Sequence, residues 1–323
     1  MSNTEIYKKT LTFSLRKLLM NFLSLLLFAG LCFGGFAIME KTYDKGLIGL
    51  GIGAVIAIII IAIISHFVGY AFHAAQIAMI TKGVTENELP DDVYHEGMRI
   101  VKERFTTVAA YYLITGVIKG IFRQVGNLIT SAGKALGGDT GETIGSIIST
   151  AVQVLIGFLC DCCLGWVFYR QDQSSARATC EGAVIFFKNG KALLRNMGRI
   201  FGMGILSLLV IGGAFTGIFY LIATRFGSAF DRLADEIIEM GARNEINIPA
   251  FFQNSENLAL VAGAIAGIVL WSIIHSTFVR PFILTGVMRN YMEAGVKNMP
   301  TDNDFNTLDS KSPKFAKLHR EMA

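Results

Sequence analysis

Eighteen consecutive residues, Leu47 to Ile64 (LIGLGIGAVIAIIIIAII), contain no polar side chain. As a helix this run is about 27 Å long at 1.5 Å per residue, close to the roughly 30 Å hydrocarbon core of a bilayer. Lipid offers no partner for backbone N–H and C=O groups, so a segment of this kind crosses as a helix that satisfies them internally. The run therefore reads as a membrane span. Uncharged sequence continues to Thr81, and comparable apolar runs recur at Leu18–Met39, Thr107–Ile118, Ile144–Val167, Gly202–Ala223 and Leu258–Val279. Together they predict an all-α polytopic membrane protein with six transmembrane helices in three hairpins, flanked by interfacial amphipathic helices.

Residues 1–17 then form an amphipathic N-terminal segment, 18–296 the six-helix transmembrane domain, and 297–323 a basic tail. The first apolar run follows Lys8, Lys9, Arg16 and Lys17 as a signal peptide would. It is too long for a signal h-region, and Phe36–Glu40 offers no small-x-small cleavage site, so it is expected to remain as the first span. Of the five cysteines, Cys32, Cys160, Cys162 and Cys163 fall inside predicted spans and Cys180 in a basic loop, which is no disulfide framework. On this reading Cys180 is the one thiol open to a membrane-impermeant reagent.

Charge sets the expected orientation. The segments before helix 1, between 2 and 3, between 4 and 5 and after 6 carry 21 Lys and Arg, against 8 on the other three sides. The positive-inside rule places both termini in the cytoplasm, in a plasma membrane of the bacterial inner-membrane kind. The modest net charge of +4 does not point to nucleic acid.

Small residues four apart recur as Gly49/Gly53/Ala57, Gly213/Gly217 and Ala259/Gly263/Gly267. Close backbone approach at such ridges is how helices gain packing energy in lipid. These glycines are expected in helix-packing seams within the bundle, with a homo-oligomer seam on helix 6 as the alternative. The second helices of the hairpins also end alike, as in Ile63-Ile64-Ser65-His66 and Ile273-Ile274-His275-Ser276. A repeated hairpin would explain this, and so would aromatic and polar residues collecting at an interface.

Past the second span come Gly69-Tyr70, Gly83, and Glu88-Leu89-Pro90 followed by Asp91 and Asp92. This pattern is similar to the first cytoplasmic loop of an uncharacterised prokaryotic family of polytopic membrane proteins, related in style to choline-transporter-like and glycerophosphodiesterase membrane domains. The resemblance covers about thirty residues. It implies the six-helix arrangement and brings no assigned catalytic residues.

Three features bear on function. Asp161 is the only acid well inside an apolar run, and a central Asp costs about 2.5–3.5 kcal/mol on insertion scales, so it is expected to face protein and have a partner. His66 and His275 lie at similar depth and are the expected partners in an intramembrane polar cluster, which would relay protons or bind a metal with cysteine help; the alternatives are a packing polar pair, or two interfacial histidines that never meet Asp161. Lys188, Lys191, Arg195 and Arg199 recur at helical spacing and are expected to meet anionic lipid head groups on the cytoplasmic side. Before the last span, Phe226, Phe230, Leu233, Ile237 and Met240 form one helical face opposite Asp231, Asp235, Glu236 and Glu239, which predicts an amphipathic helix. Cys160 and Cys163 make a C-x-x-C pair that, on a helix among apolar residues, reads as packing.

No standard catalytic or metal-binding constellation is present in the sequence, and no cofactor is implied. The leading expectation is a transporter or channel-like protein for a small solute, ion or lipid. A non-catalytic membrane scaffold with a protein partner is the first alternative, and a lipid-modifying enzyme using His66, Asp161 and His275 the second.

Overall fold

The computed structural model describes residues 1–105, 113, 115–121, 123, 141–194, 197–243 and 245–320, and among these no strand occurs. In chain order the helices are α1 (Asn3–Lys9), α2 (Leu11–Tyr43), α3 (Gly46–Ile64), α4 (Tyr70–Thr85), α5 (Val93–Arg104), α6 (Gly141–Tyr169) and α7 (Ser175–Leu194). They continue with α8 (Met197–Ser207), α9 (Gly213–Thr224), α10 (Gly227–Arg243), α11 (Ser255–Ile274), α12 (Arg280–Lys297), α13 (Asp302–Asp309) and α14 (Pro313–Arg320). Three single turns of π-helix, Ser65–Gly69, Leu208–Gly212 and His275–Val279, join α3 to α4, α8 to α9 and α11 to α12. Two compact units result, one of Met1–Ile200 with Pro281–Ala323 and one of Phe201–Arg280.

In the first unit α2 and α3 form a hairpin. Asp44 closes it in the left-handed region with φ 54°, and the Gly46 N–H donates to Glu40 Oε2 at 2.8 Å. The helices meet backbone to backbone: a methyl group added at Gly49 or Gly53 would overlap the Gly35 or Leu31 main chain. With Gly49, Gly53 and Ala57 turned into this seam, Ile52, Val55, Ile58 and Ile59 are left exposed. That surface suits lipid.

The environment changes at the Ser65–Gly69 turn. Beyond it, every residue of α4 from Ala74 to Thr81 is buried, against α5, α6 and the start of α2. The uninterrupted helix Gly46–Thr85 has 40 residues, about 60 Å and so about twice the thickness of a hydrocarbon core. Its first half carries lipid-type surface and its second half is protein core.

The second unit repeats the device. The α9–α11 pair closes with Gly263 under Tyr220 and Gly267 under Thr216, where again a Cβ would collide. The stripe Ala259/Gly263/Gly267 precedes the His275–Val279 turn at the same spacing by which Gly49/Gly53/Ala57 precedes Ser65–Gly69. The amphipathic helix expected before the last span is α10, with its acidic residues exposed and Ala234 and Gly241 buried.

One expectation changes on the structure. Gly213 and Gly217 have no neighbour within 4 Å of an added Cβ, so they lie outside the seam. The residues of α9 that face α11 are Thr216 and Tyr220, on average about 60° round the helix from the glycines. Four described helices are long and apolar enough to cross a membrane: Leu11–Tyr43, Gly46–Thr85, Gly198–Thr224 and Ser255–Lys297. In the described apolar stretch of α6, Gln153–Tyr169, residues Phe158 to Phe168 are buried by protein. Most of the run Thr107–Ile118 lies outside the described residues.

Both chain ends are folded onto the first unit. Arg289 on α12 donates to Asn3 Oδ1 at 2.6 Å and to the Met1 carbonyl at 2.8 Å, and Ile6 is fully buried. The basic tail is not a free strand of charge. Its helices α13 and α14 dock on α7, with Phe315 buried and the Lys311 ammonium 4.4 Å from the Phe187 ring centre.

The seam geometry separates glycines of the same spacing. Gly263→Ala should destabilise the protein by about 1–3 kcal/mol through overpacking, whereas Gly217→Ala should be neutral or raise stability by up to about 1 kcal/mol through helix propensity. Thermal unfolding of the purified variants in detergent, followed by circular dichroism, measures both.

Candidate functional site

The polar centre of the first unit is a pair that spans two helices. His73 Nε2 lies 3.0 Å from Asp161 Oδ1, joining α4 to α6. The side chains are 22% and 10% exposed, so both are largely out of water. Asp161 sits in the run Leu159 to Val167, whose members are all buried, Cys160, Cys162 and Cys163 among them. One turn along α4 from His73, Gln76 Nε2 donates to Ser14 Oγ on α2 at 3.1 Å. α4 therefore presents polar groups to two neighbours from an otherwise apolar surface.

The histidine seen on Asp161 is His73, which the sequence reading did not single out. His66 lies two helical turns earlier, inside the π turn, where its ring meets those of Phe67 and Tyr70 edge-on at 5.4 and 5.9 Å. A π turn adds a residue to the helical repeat and so rotates the side chains beyond it by about 100°, a phase shift that spacing alone does not reveal. His275 belongs to the second unit and has its own partners there. Its Nδ1 is 3.0 Å from Ser207 Oγ, which also accepts from Trp271 Nε1 at 3.1 Å and donates to the Gly204 carbonyl at 2.8 Å. With its single hydrogen given to Gly204, the Ser207 oxygen accepts from both rings, which assigns the proton of neutral His275 to Nδ1. Trp271 and His275 lie with their rings 5.2 Å apart.

A second buried network joins α6 to α7. Glu181 Oε2 accepts from Trp166 Nε1 and from Arg170 Nη1, each at 3.0 Å. Arg170 also grips Asp172 through two bonds of 3.0 Å, and these hold the Asp172 carboxyl below the usual carboxylate range. Arg104 then donates to the carbonyls of Gln173 and Arg170 at 2.7 and 3.0 Å, tying the end of α5 to the turn that follows α6. Its buried acceptor, Glu181 Oε2, is engaged twice within the protein, so the network reads as a structural lock.

Of the expected basic stripe, Lys188 and Arg199 are placed by the structure. α7 is kinked at Asn189, whose φ and ψ of −107° and 15° are not helical. Lys188 forms an ion pair with Asp304 of the tail helix α13 at 2.8 Å. The Arg199 guanidinium lies over Gly286 of α12, in space that a side chain there would fill. The Lys191 side chain and Arg195 lie outside the described residues. Nor is Cys180 an open thiol: it is 0% exposed, and burial, with the nearby Asp309 and Glu181 carboxylates, pushes its thiol up to about 12.

Among the described residues no three or more His, Cys, Asp and Glu side chains converge as a metal site. No protein-family model, curated protein or solved structure matches the chain.

Cys180 should resist a maleimide in the folded protein at neutral pH from either side of the membrane, and should react after denaturation; mass spectrometry of the labelled peptide decides this. The docking of α13 should weaken in acid. Burial raises the Asp304 carboxyl, but the hydrogen bonds from Lys188 and Thr301 outweigh it and leave the group below its usual value of 3.8. Its contribution is therefore present above that value and is lost as pH falls through the lower folded one. Proteolysis of the tail at pH 7 and pH 3, compared with Asp304→Asn at pH 7, measures the effect.

Proposed function

We propose that this is an integral plasma-membrane protein that moves or gates a small solute or ion, with the His73–Asp161 pair as its titrating element. The observation that carries the reading is the placement of that pair. It joins α6 to α4, and α4 is the direct continuation of the membrane-length helix that begins at Gly46. Protonation of Asp161, or loss of a proton from His73⁺, removes the charge attraction across the α4–α6 contact. A proton gained or lost there is felt by a helix that also crosses the bilayer. The topology that goes with this reading has both termini in the cytoplasm, following the distribution of Lys and Arg. Anionic lipid head groups, and a protein or like-subunit contact on the open Gly213/Gly217 face, would be its partners.

The scaffold alternative draws on a different observation, the folding of both chain ends and of α13 and α14 onto the first unit. A membrane-anchored helical body of this kind would hold a partner without moving solute.

Asp161→Asn and His73→Gln preserve shape and remove the titrating pair. In proteoliposomes each should reduce ion or solute flux at least tenfold or flatten its pH dependence, while the protein still purifies as a monodisperse species. Flux and pH profile equal to the unmodified protein in both variants would sink the reading and leave the scaffold in its place.

A further inference from the structure

Where α2 enters the apolar hairpin, a groove of about 420 Å³ opens on the first unit, lined by Lys9, Thr12, Arg16, Asp91, Asp92 and Tyr94 among others. Its level is marked by Met20, whose side chain covers Gly69 at the π turn. The last exposed apolar residues of the partner helix, Phe67 and Val68, are 52% and 42% exposed there. Arg16 is one turn below Met20, at the edge of the lipid-type surface. From Arg16, exposed Leu19, Leu23 and Leu26 continue at helical spacing up α2, an apolar track that begins at the groove.

The charges of the groove are balanced. Lys9 and Arg16 bring two cations, Asp91 and Asp92 two carboxylates. Asp92 is committed to the N-terminus of α5 and to His95, accepting from the His95 N–H at 3.0 Å. Arg16 stands 3.7 Å over the Tyr94 ring, so the aromatic face that would receive a quaternary ammonium is already covered by a cation. A carboxylate such as Asp91 binds an ammonium best through N–H hydrogen bonds, which a quaternary nitrogen lacks.

We propose that this groove binds the head group of a zwitterionic phospholipid with a primary ammonium, its phosphate on Lys9 and Arg16, its ammonium on Asp91, and an acyl chain along Leu19, Leu23 and Leu26. The inference rests on the membrane reading of the α2–α3 hairpin and not on transport. Balanced charge in the groove favours a head group carrying both signs over a purely anionic one, and continuity with the exposed leucines favours a lipid over a soluble ion.

The full-length protein in detergent, offered equal amounts of phosphatidylethanolamine and phosphatidylcholine with identical acyl chains, is read by native mass spectrometry. The ethanolamine lipid should be retained about tenfold over the choline lipid, the range expected of a hydrogen bond to a charged group. Asp91→Asn, an exposed substitution, should bring that ratio close to one without changing the melting temperature. Lys9→Ala with Arg16→Ala should lower retention of both lipids. Equal retention by the unmodified protein, a preference unmoved by Asp91→Asn, or stronger retention of phosphatidylglycerol that Lys9→Ala with Arg16→Ala abolishes would overturn the proposal. So would displacement of the lipid by soluble phosphoethanolamine at equal concentration, which would make the site one for a soluble ligand. Release of the chain from membranes by alkaline carbonate would instead fail the membrane reading itself, and the flux experiment stands apart from both.

Discussion

Helix length against bilayer thickness is the constraint on which the rest of this structure depends. A helix of about 60 Å cannot be solvated by a hydrocarbon core of about 30 Å along its whole length. Gly46–Thr85 therefore divides its surface: small residues in a two-helix seam with large aliphatics outward up to the π turn, then continuous burial in protein from Ala74 to Thr81. Ser255–Lys297 has the same plan, with its turn at His275–Val279 and a buried run in α12. The π turn is a physical way to make the change, since one added residue re-aims the side chains beyond it without breaking the helix.

The seams and the polar pairs have complementary roles. Lipid provides no hydrophobic force between two apolar helices, so α2 and α3, and α9 and α11, gain cohesion from contact between backbones that only glycine permits at Gly49, Gly53, Gly263 and Gly267. In the protein core the force is ordinary burial, and polar groups there have to be partnered. His73 with Asp161, Gln76 with Ser14, and Glu181 with Trp166 and Arg170 each answer that demand across two elements. Removing one member of such a pair leaves the other desolvated, which is why these few contacts fix the register of α4, α6 and α7.

Charge acts mainly at the edges. Lys188 is drawn to Asp304 and Arg199 lies against Gly286, so bases that look like a lipid-facing stripe in sequence help to close the protein on itself. Arg16 and Lys9 lie instead where the lipid-type surface of α2 begins, beside the acids of the α4–α5 connection. The same residue types act differently according to what the chain folds beside them.

Composition and periodicity were enough to determine the helical class, the membrane-length runs, the hairpin seams at Gly49/Gly53 and Gly263/Gly267, and the amphipathic helix before the last long helix. Each depends on local spacing, which a helix preserves. That Asp161 would need a partner was legible too, because burying a carboxylate is costly wherever it happens. Which histidine supplies it was not, since the π turn shifts the phase between His66 and His73 and the contact joins residues 88 apart in the chain. Nor did spacing reveal that Gly213 and Gly217 lie outside the seam with α11, that the core of α6 is covered by protein, that Cys180 is buried, or that the tail docks on α7. An apolar helix reads alike whether lipid or protein surrounds it, and only the tertiary structure decided which.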